Sequence, residues 1–366
     1  MPAVRFDAFR AVRSFASLDG IRCGCILAVV FHHASDGVDW LPASRRGFLG
    51  VDMFFVLSGF LIVTLLLREK SARGDVALGQ FVIRRALRIF PVYYGLLAVL
   101  AIAFTLRPGA KDAADYWRGL PYFLTFTSNW TVQSGSFAIL WSLATEEQFY
   151  LVWPAVQKYL TRRIIVVLLL VIIVVNQLMN FRLIDEPFRR AFGVGYDDLS
   201  ILQATFTPIA LGALLANFLH ESPGFVAVDW LTGRRWMSGM WLLVLLALID
   251  APVADLGGWP RLAIQVTMTL FLAACVVRED HVLKPILSLR PARWIGSVSY
   301  GLYLYHLFAI GAAMALLSRS PVRFPGDVFW LGLAIGLLVA GLSYRYYERP
   351  FLHLKNRFTP PREGHV

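Results

Sequence analysis

Arg22-Cys23-Gly24-Cys25-Ile26-Leu27-Ala28-Val29-Val30-Phe31-His32-His33 is an apolar run closed at both ends by ionisable groups. Its middle suits a lipid-embedded helix, and its ends do not. A charge inside a bilayer-spanning helix costs roughly 2.5–3.5 kcal/mol on insertion scales, so such residues need a use. Similar apolar runs recur along the whole chain. Residues 164–175 are apolar throughout, without the alternation of a membrane β-strand. Of 366 residues 57% are hydrophobic and 16% charged, against about 25% charged in a soluble domain. Mean hydropathy is +0.60. These features predict an all-α, polytopic membrane helical bundle.

About ten spans are expected, at roughly 20–37, 48–67, 89–106, 137–157, 164–180, 200–219, 237–251, 260–277, 294–317 and 328–347. Residues 107–136 carry Pro108, Gly109, Pro121 and Gly135 and read as an interfacial or re-entrant piece. Basic clusters at 1–22, 68–88, 158–163, 234–235, 278–293 and 349–362 alternate with these spans. By the positive-inside rule both termini are expected in the cytoplasm. Arg182, Arg189 and Arg190 dissent, in a longer outside connection. The expected organisation is a basic cytoplasmic segment (1–19), a membrane domain (20–351) and a cytoplasmic tail (352–366) that is disordered after Phe358. The first span has no small-residue cleavage site after it and reads as a retained helix.

The net charge of +11 belongs to basic loops flanking apolar runs, which argues against nucleic-acid binding. Cys23, Cys25 and Cys275 are sparse and odd in number, and read as small buried residues. No metal site is expected.

Arg22 and His33 are eleven apart, three helical turns, so they share a face about 16 Å apart along the axis. An arginine holding an anion and a histidine moving a proton could serve one elongated substrate. Snorkelling of Arg22 and a structural partner for His33 would explain the pair equally well. Asp52 could orient a base or bind a cation, or merely sit well at a helix N-terminus. Arg84, Arg85 and Arg88 form one basic face, suited to the phosphates of a donor such as coenzyme A or to lipid phosphate. Glu146 and Glu147 are costly in a span, so one should be protonated or paired. His306 follows Ser299-Tyr300-Gly301-Leu302-Tyr303-Leu304-Tyr305, and Glu348 lies at the end of the tenth span; either could be structural.

Together these segments resemble the acyltransferase-3 family of integral membrane O-acyltransferases, from about Ser17 to Phe351. Leu18-Asp19-Gly20-Ile21-Arg22 with His33 fits the family's basic residue, ten-residue gap and histidine. Gly50-Val51-Asp52-Met53-Phe54-Phe55-Val56-Leu57-Ser58-Gly59-Phe60, Arg85-Ala86-Leu87-Arg88, residues 141–154, residues 299–306 and residues 348–350 are similar to its other motifs. The resemblance implies transfer of an acyl group, acetyl by expectation, from cytoplasmic acyl-coenzyme A to a hydroxyl of a cell-surface or lipid-linked glycan. It implies His33 as the catalytic histidine, with Asp52, Glu146 and Glu348 as supporting acids. Arg22, Arg85 and Arg88 would hold the donor, and Tyr303 and His306 are placed with them as donor-binding residues. No tightly bound cofactor is implied, and the expected location is a bacterial inner membrane. His32 beside His33 departs from the pattern. The chain is expected to lack the outward hydrolase-like domain of some relatives. A transporter or flippase built on buried His and Glu is the rival reading, and a non-catalytic membrane scaffold is a third.

Overall fold

A computed structural model describes residues 2–12, 14–34, 45–131, 135–203, 205–253, 255–319 and 324–358. Among them the only regular elements are helices. In chain order they are α1 (Pro2–Ala11), α2 (Leu18–Ala34), α3 (Leu49–Arg73), α4 (Leu78–Leu106), α5 (Ala113–Leu124), α6 (Leu140–Tyr159), α7 (Arg162–Asn180), α8 (Asp185–Phe192) and α9 (Phe206–Leu219). Then follow α10 (Ser222–Thr232), α11 (Met237–Asp250), α12 (Trp259–Val276), α13 (Lys284–Leu287), α14 (Arg290–Ser297), α15 (Ser299–Leu317), α16 (Asp327–Ser343) and α17 (Arg349–Lys355). Six helices are long and apolar enough to cross a membrane: α3, α4, α7, α12, α15 and the α16–α17 unit. Helices α2, α6, α9 and α11 occupy the other four expected positions. The protein is an all-α polytopic membrane bundle.

The boundaries differ instructively from the sequence reading. The third span begins near residue 78 rather than 89, so Arg84, Arg85 and Arg88 lie on helix α4 itself and Pro91 in its interior. The ninth breaks at Val298 into α14 and α15. The tenth ends in a π-helical turn, Tyr344–Glu348. Residues 107–131 hold the short α5 rather than a span, and α5 is tied back to α4: Tyr93 donates to the Phe123 carbonyl (3.0 Å) and Tyr116 to that of Leu97 (2.6 Å). The expected disordered tail lies outside the described residues, as do 35–37 of the first span.

Helices in lipid gain little from hiding apolar surface, so close backbone approach and polar contacts must hold them. Helices α3 and α9 meet at glycines. A methyl group on Gly59 would strike the Ile209 carbonyl, and one on Gly212 that of Val56. Gly20 of α2 likewise lies against the Leu287 carbonyl of α13, and Gly296 of α14 against the Asp19 carbonyl of α2, which fixes the helix carrying Arg22 and His33. Asn176 accepts from the Thr207 backbone (2.9 Å) and hydroxyl (2.8 Å), clamping α7 to α9. The dissenting arginines of the outside connection are neutralised locally: Arg182 by Asp197, Arg189 by Asp198 and Arg190 by Glu186. All three cysteines are buried and unbridged.

Candidate active site

Helices α2, α3, α4, α6 and α15 enclose a cavity of about 260 Å³. Arg22 enters from α2, Ser58 from α3, and Arg85 and Arg88 from α4. Helix α6 contributes Ser142, Leu143, Glu146, Glu147 and Tyr150, one continuous i, i+4, i+8 stripe. Helix α15 contributes Ser299, Tyr300 and Tyr303. The walls between these groups are apolar, among them Val51, Phe54, Phe55 and Ile62.

The charges in this cavity are largely uncompensated. Arg85 and Arg88 have no carboxylate within ion-pairing distance among the described residues, although Arg85 lies over the Tyr150 ring at 4.8 Å. Arg22 pairs with Asp19 at 2.7 Å. Arg84, on the neighbouring position, is spent on Glu69 (3.1 Å) and the Phe358 carbonyl (3.0 Å). The basic face therefore divides into one structural arginine and two that are open to an anion. Glu146 accepts from the Ser58 hydroxyl at 2.6 Å. Neither Glu146 nor Glu147 forms an ion pair among the described residues. Glu147, with Arg85 and Tyr150, also borders a second slot of about 140 Å³ between α4 and α6.

At its far end the cavity is closed by Ser142 and Tyr303, whose hydroxyls lie 2.7 Å apart; Tyr303 also donates to the Ile139 carbonyl at 3.0 Å. One turn along α15, the His306 Nδ1 faces the Tyr303 carbonyl at 2.6 Å, and its Nε2 faces the His33 Nδ1 at 3.3 Å. His33 Nδ1 also faces the Val29 carbonyl at 3.0 Å. A polar row thus runs from the arginines, past Glu146, Ser142 and Tyr303, to the two histidines. His33 does not line this cavity but lies beyond the Ser142–Tyr303 closure. His306 contacts His33 instead of the cavity.

The other expected residues sit apart. Asp52 is buried and bonded to Arg261 (2.8 Å) and Gln265 (3.0 Å) of α12. Glu348 is buried in the π turn, where it accepts from Ser343 at 3.1 Å and rests against Gly301. His32 packs edge-on to His33 and against Phe48. Asn129-Trp130-Thr131 has the spacing of a glycosylation sequon, but Asn129 is buried and exchanges amide hydrogen bonds with Gln148. Sequence reasoning missed Ser58, Ser142, Tyr150 and Tyr300. The helical spacing of 142, 146 and 150 carried the signal for two of them.

Residues 15–345 match the acyltransferase domain of the acyltransferase 3 family. The chain belongs to that family. Among curated proteins it is 30% identical to O-acetyltransferase OatA of Staphylococcus aureus (strain NCTC 8325 / PS 47) over 372 residues, covering 94% of this chain and 58% of OatA. It is 29% identical over 369 residues to YrhL of Bacillus subtilis (strain 168), provisionally named a peptidoglycan O-acetyltransferase, covering 92% of this chain and 55% of that protein. The chain thus spans little more than half the length of these relatives. No solved structure matches it.

Proposed function

We propose that this protein is a multi-pass O-acyltransferase of a bacterial inner membrane. It takes an acyl group, acetyl in the first instance, from acyl-coenzyme A and passes it to a hydroxyl of a cell-surface or lipid-linked glycan. The observation that carries this reading is the polar row itself: two arginines without carboxylate partners at one end, a histidine pair at the other, and a cavity between them in a chain of this family. The basic end faces the cytoplasm by the positive-inside rule. Arg85, Arg88 and Arg22 bind the donor phosphates, and the pantetheine arm enters the cavity. For the thioester to reach His33 the Ser142–Tyr303 contact has to part.

At His33 two routes balance. As a general base, His33 takes the acceptor hydroxyl proton while the acceptor oxygen bonds to the thioester carbon; the C–S bond breaks and the proton passes to the departing sulfur. As a nucleophile, His33 first bonds to the thioester carbon while the C–S bond breaks and coenzyme A leaves as a thiolate; the acceptor oxygen then bonds to the acyl carbon, the C–N bond breaks to free His33, and the hydroxyl proton passes to the thiolate. Rapid-quench trapping of an acyl-histidine without acceptor separates them. The name carried by YrhL makes peptidoglycan the first acceptor to examine. Mass spectrometry of base-labile esters on envelope glycans, in wild-type, deletion and His33→Ala strains, tests the whole reading. One ester missing from both mutants supports it; unchanged esters in both overturn the glycan assignment.

A further inference from the structure

The two histidines meet in a way that determines their protons. A carbonyl oxygen only accepts, so the His306 Nδ1, 2.6 Å from the Tyr303 carbonyl, must carry hydrogen. In the neutral ring its Nε2 is then a bare acceptor. The atom opposite that lone pair is His33 Nδ1 at 3.3 Å, which also faces the Val29 carbonyl at 3.0 Å. Two acceptors converge on one ring nitrogen, so His33 Nδ1 is the protonated one. Its Nε2 is left with a free lone pair, and among the described residues that atom has no hydrogen-bond partner. His306 is 1% exposed, so water does not compete for the contact.

We infer that His306 is a positioning residue that holds His33 in the Nδ1-protonated tautomer, through the Tyr303 carbonyl–His306–His33 chain, so that Nε2 is the reacting atom. This rests on the reading of His33 as the acyl-transfer histidine and deepens it. A shared lone pair on His306 also steadies the charge that appears when His33 gains a proton or an acyl group at Nε2, since Nδ1–H then donates more strongly to both acceptors. His32 sits edge-on to the same ring at 5.1 Å; the contact to His306 is made by His33 Nδ1. The sequence motif that ends in His306 therefore acts on the neighbouring helix, not on the donor.

The test uses the full chain in lipid nanodiscs, labelled with nitrogen-15 histidine. Among its seven histidines, the His33 signals are assigned by difference with His33→Gln. The wild type should show Nδ1 protonated and Nε2 bare. His306→Leu, which removes the acceptor, should give mixed or reversed tautomers. His306→Gln, whose amide oxygen can stand where Nε2 stood, should restore the wild-type pattern. In membranes containing the overproduced chain, thiol release from acetyl-coenzyme A should fall about tenfold or more in kcat for His306→Leu, the range seen when an orienting partner is lost. KM for acetyl-coenzyme A should stay unchanged, and His306→Gln should recover most of the rate. A wild-type His33 protonated at Nε2, or a leucine variant with wild-type tautomer and rate, overturns the inference. If the leucine variant does not fold, the wild-type and glutamine spectra still decide. If His33→Gln keeps full activity, the acyl-transfer reading falls, while the tautomer measurement still reports on His306.

Discussion

Two sets of buried charge lie only a few helical turns apart on α3 and are built in opposite ways. Near its start, Asp52 is neutralised by Arg261 and accepts a hydrogen bond from Gln265, and its charge is closed. One and a half turns on, Ser58 opens into a cavity where Arg85 and Arg88 have no carboxylate partner and Glu146 has only a hydroxyl. A closed pair holds helices together, because removing either member strands the other without water. An open set leaves room for a ligand to supply the missing charge. The same division separates Arg84, committed to Glu69, from its neighbours Arg85 and Arg88.

The largest effect is expected at the far end of the open set. His33→Ala should lower acyl transfer by about 10²- to 10⁴-fold, the usual worth of a positioned acid–base group. Its thermal unfolding should match wild type. Coenzyme A release in membranes and a melting curve in detergent check both halves.

Arg261→Ala attacks the closed set. It should destabilise the bundle by about 3–5 kcal/mol, because Asp52 remains buried and unpaired. Arg88→Ala attacks the open set and should leave the melting curve almost unmoved. It should raise KM for acetyl-coenzyme A about tenfold or more, the loss of one charge-assisted hydrogen bond of about 1.5–3 kcal/mol. Equal destabilisation by the two arginine variants would break the distinction between closed and open charges. Ser58→Ala should act more mildly. Losing one hydrogen bond to Glu146 should cost about 1.5 kcal/mol in transition-state terms, a roughly tenfold change in kcat/KM at most.

The smallest effect concerns a closed pair outside the spans. Ser17 Oγ and His281 Nε2 lie 2.8 Å apart, and both side chains are buried. Burial, and then the nearby Lys284 charge, push the His281 pKa down from 6.5 to about 4, with Asp280 opposing. The folded protein therefore favours neutral His281. Its stabilising share is present above pH 6.5 and is lost as pH falls from there towards 4. His281→Gln should flatten the pH dependence of melting in that window; an unchanged slope would show that the pair plays no part.

Much of this molecule could be read without coordinates. All ten expected span positions hold helices, because apolar length is a local property of the chain. Residues 107–131 were legible as a non-spanning piece for the same reason, through Pro121 and the polar breaks around it. Boundaries fared worse. Arg84, Arg85 and Arg88 suggested a loop, yet a helix end rich in arginine can extend beyond the apolar part and keep its charges in a polar cavity. Neither the break at Val298 nor the π turn that buries Glu348 has a distinctive local signature. The motifs named the residues of the row, but not their neighbours: His306 was grouped with the donor and instead meets His33.

By itself, then, the sequence determined the membrane class, the ten apolar helix positions and which side chains must be explained, since each follows from composition, period and spacing along one chain, while its motifs carried the resemblance to the family. Tertiary structure alone decided which charges are closed and which are open, where the cavity ends, and which nitrogen of His33 faces His306. Those depend on distances between helices far apart in the chain. A pairing such as Arg261 with Asp52, or His306 with His33, exists only once the glycine contacts have brought the backbones together.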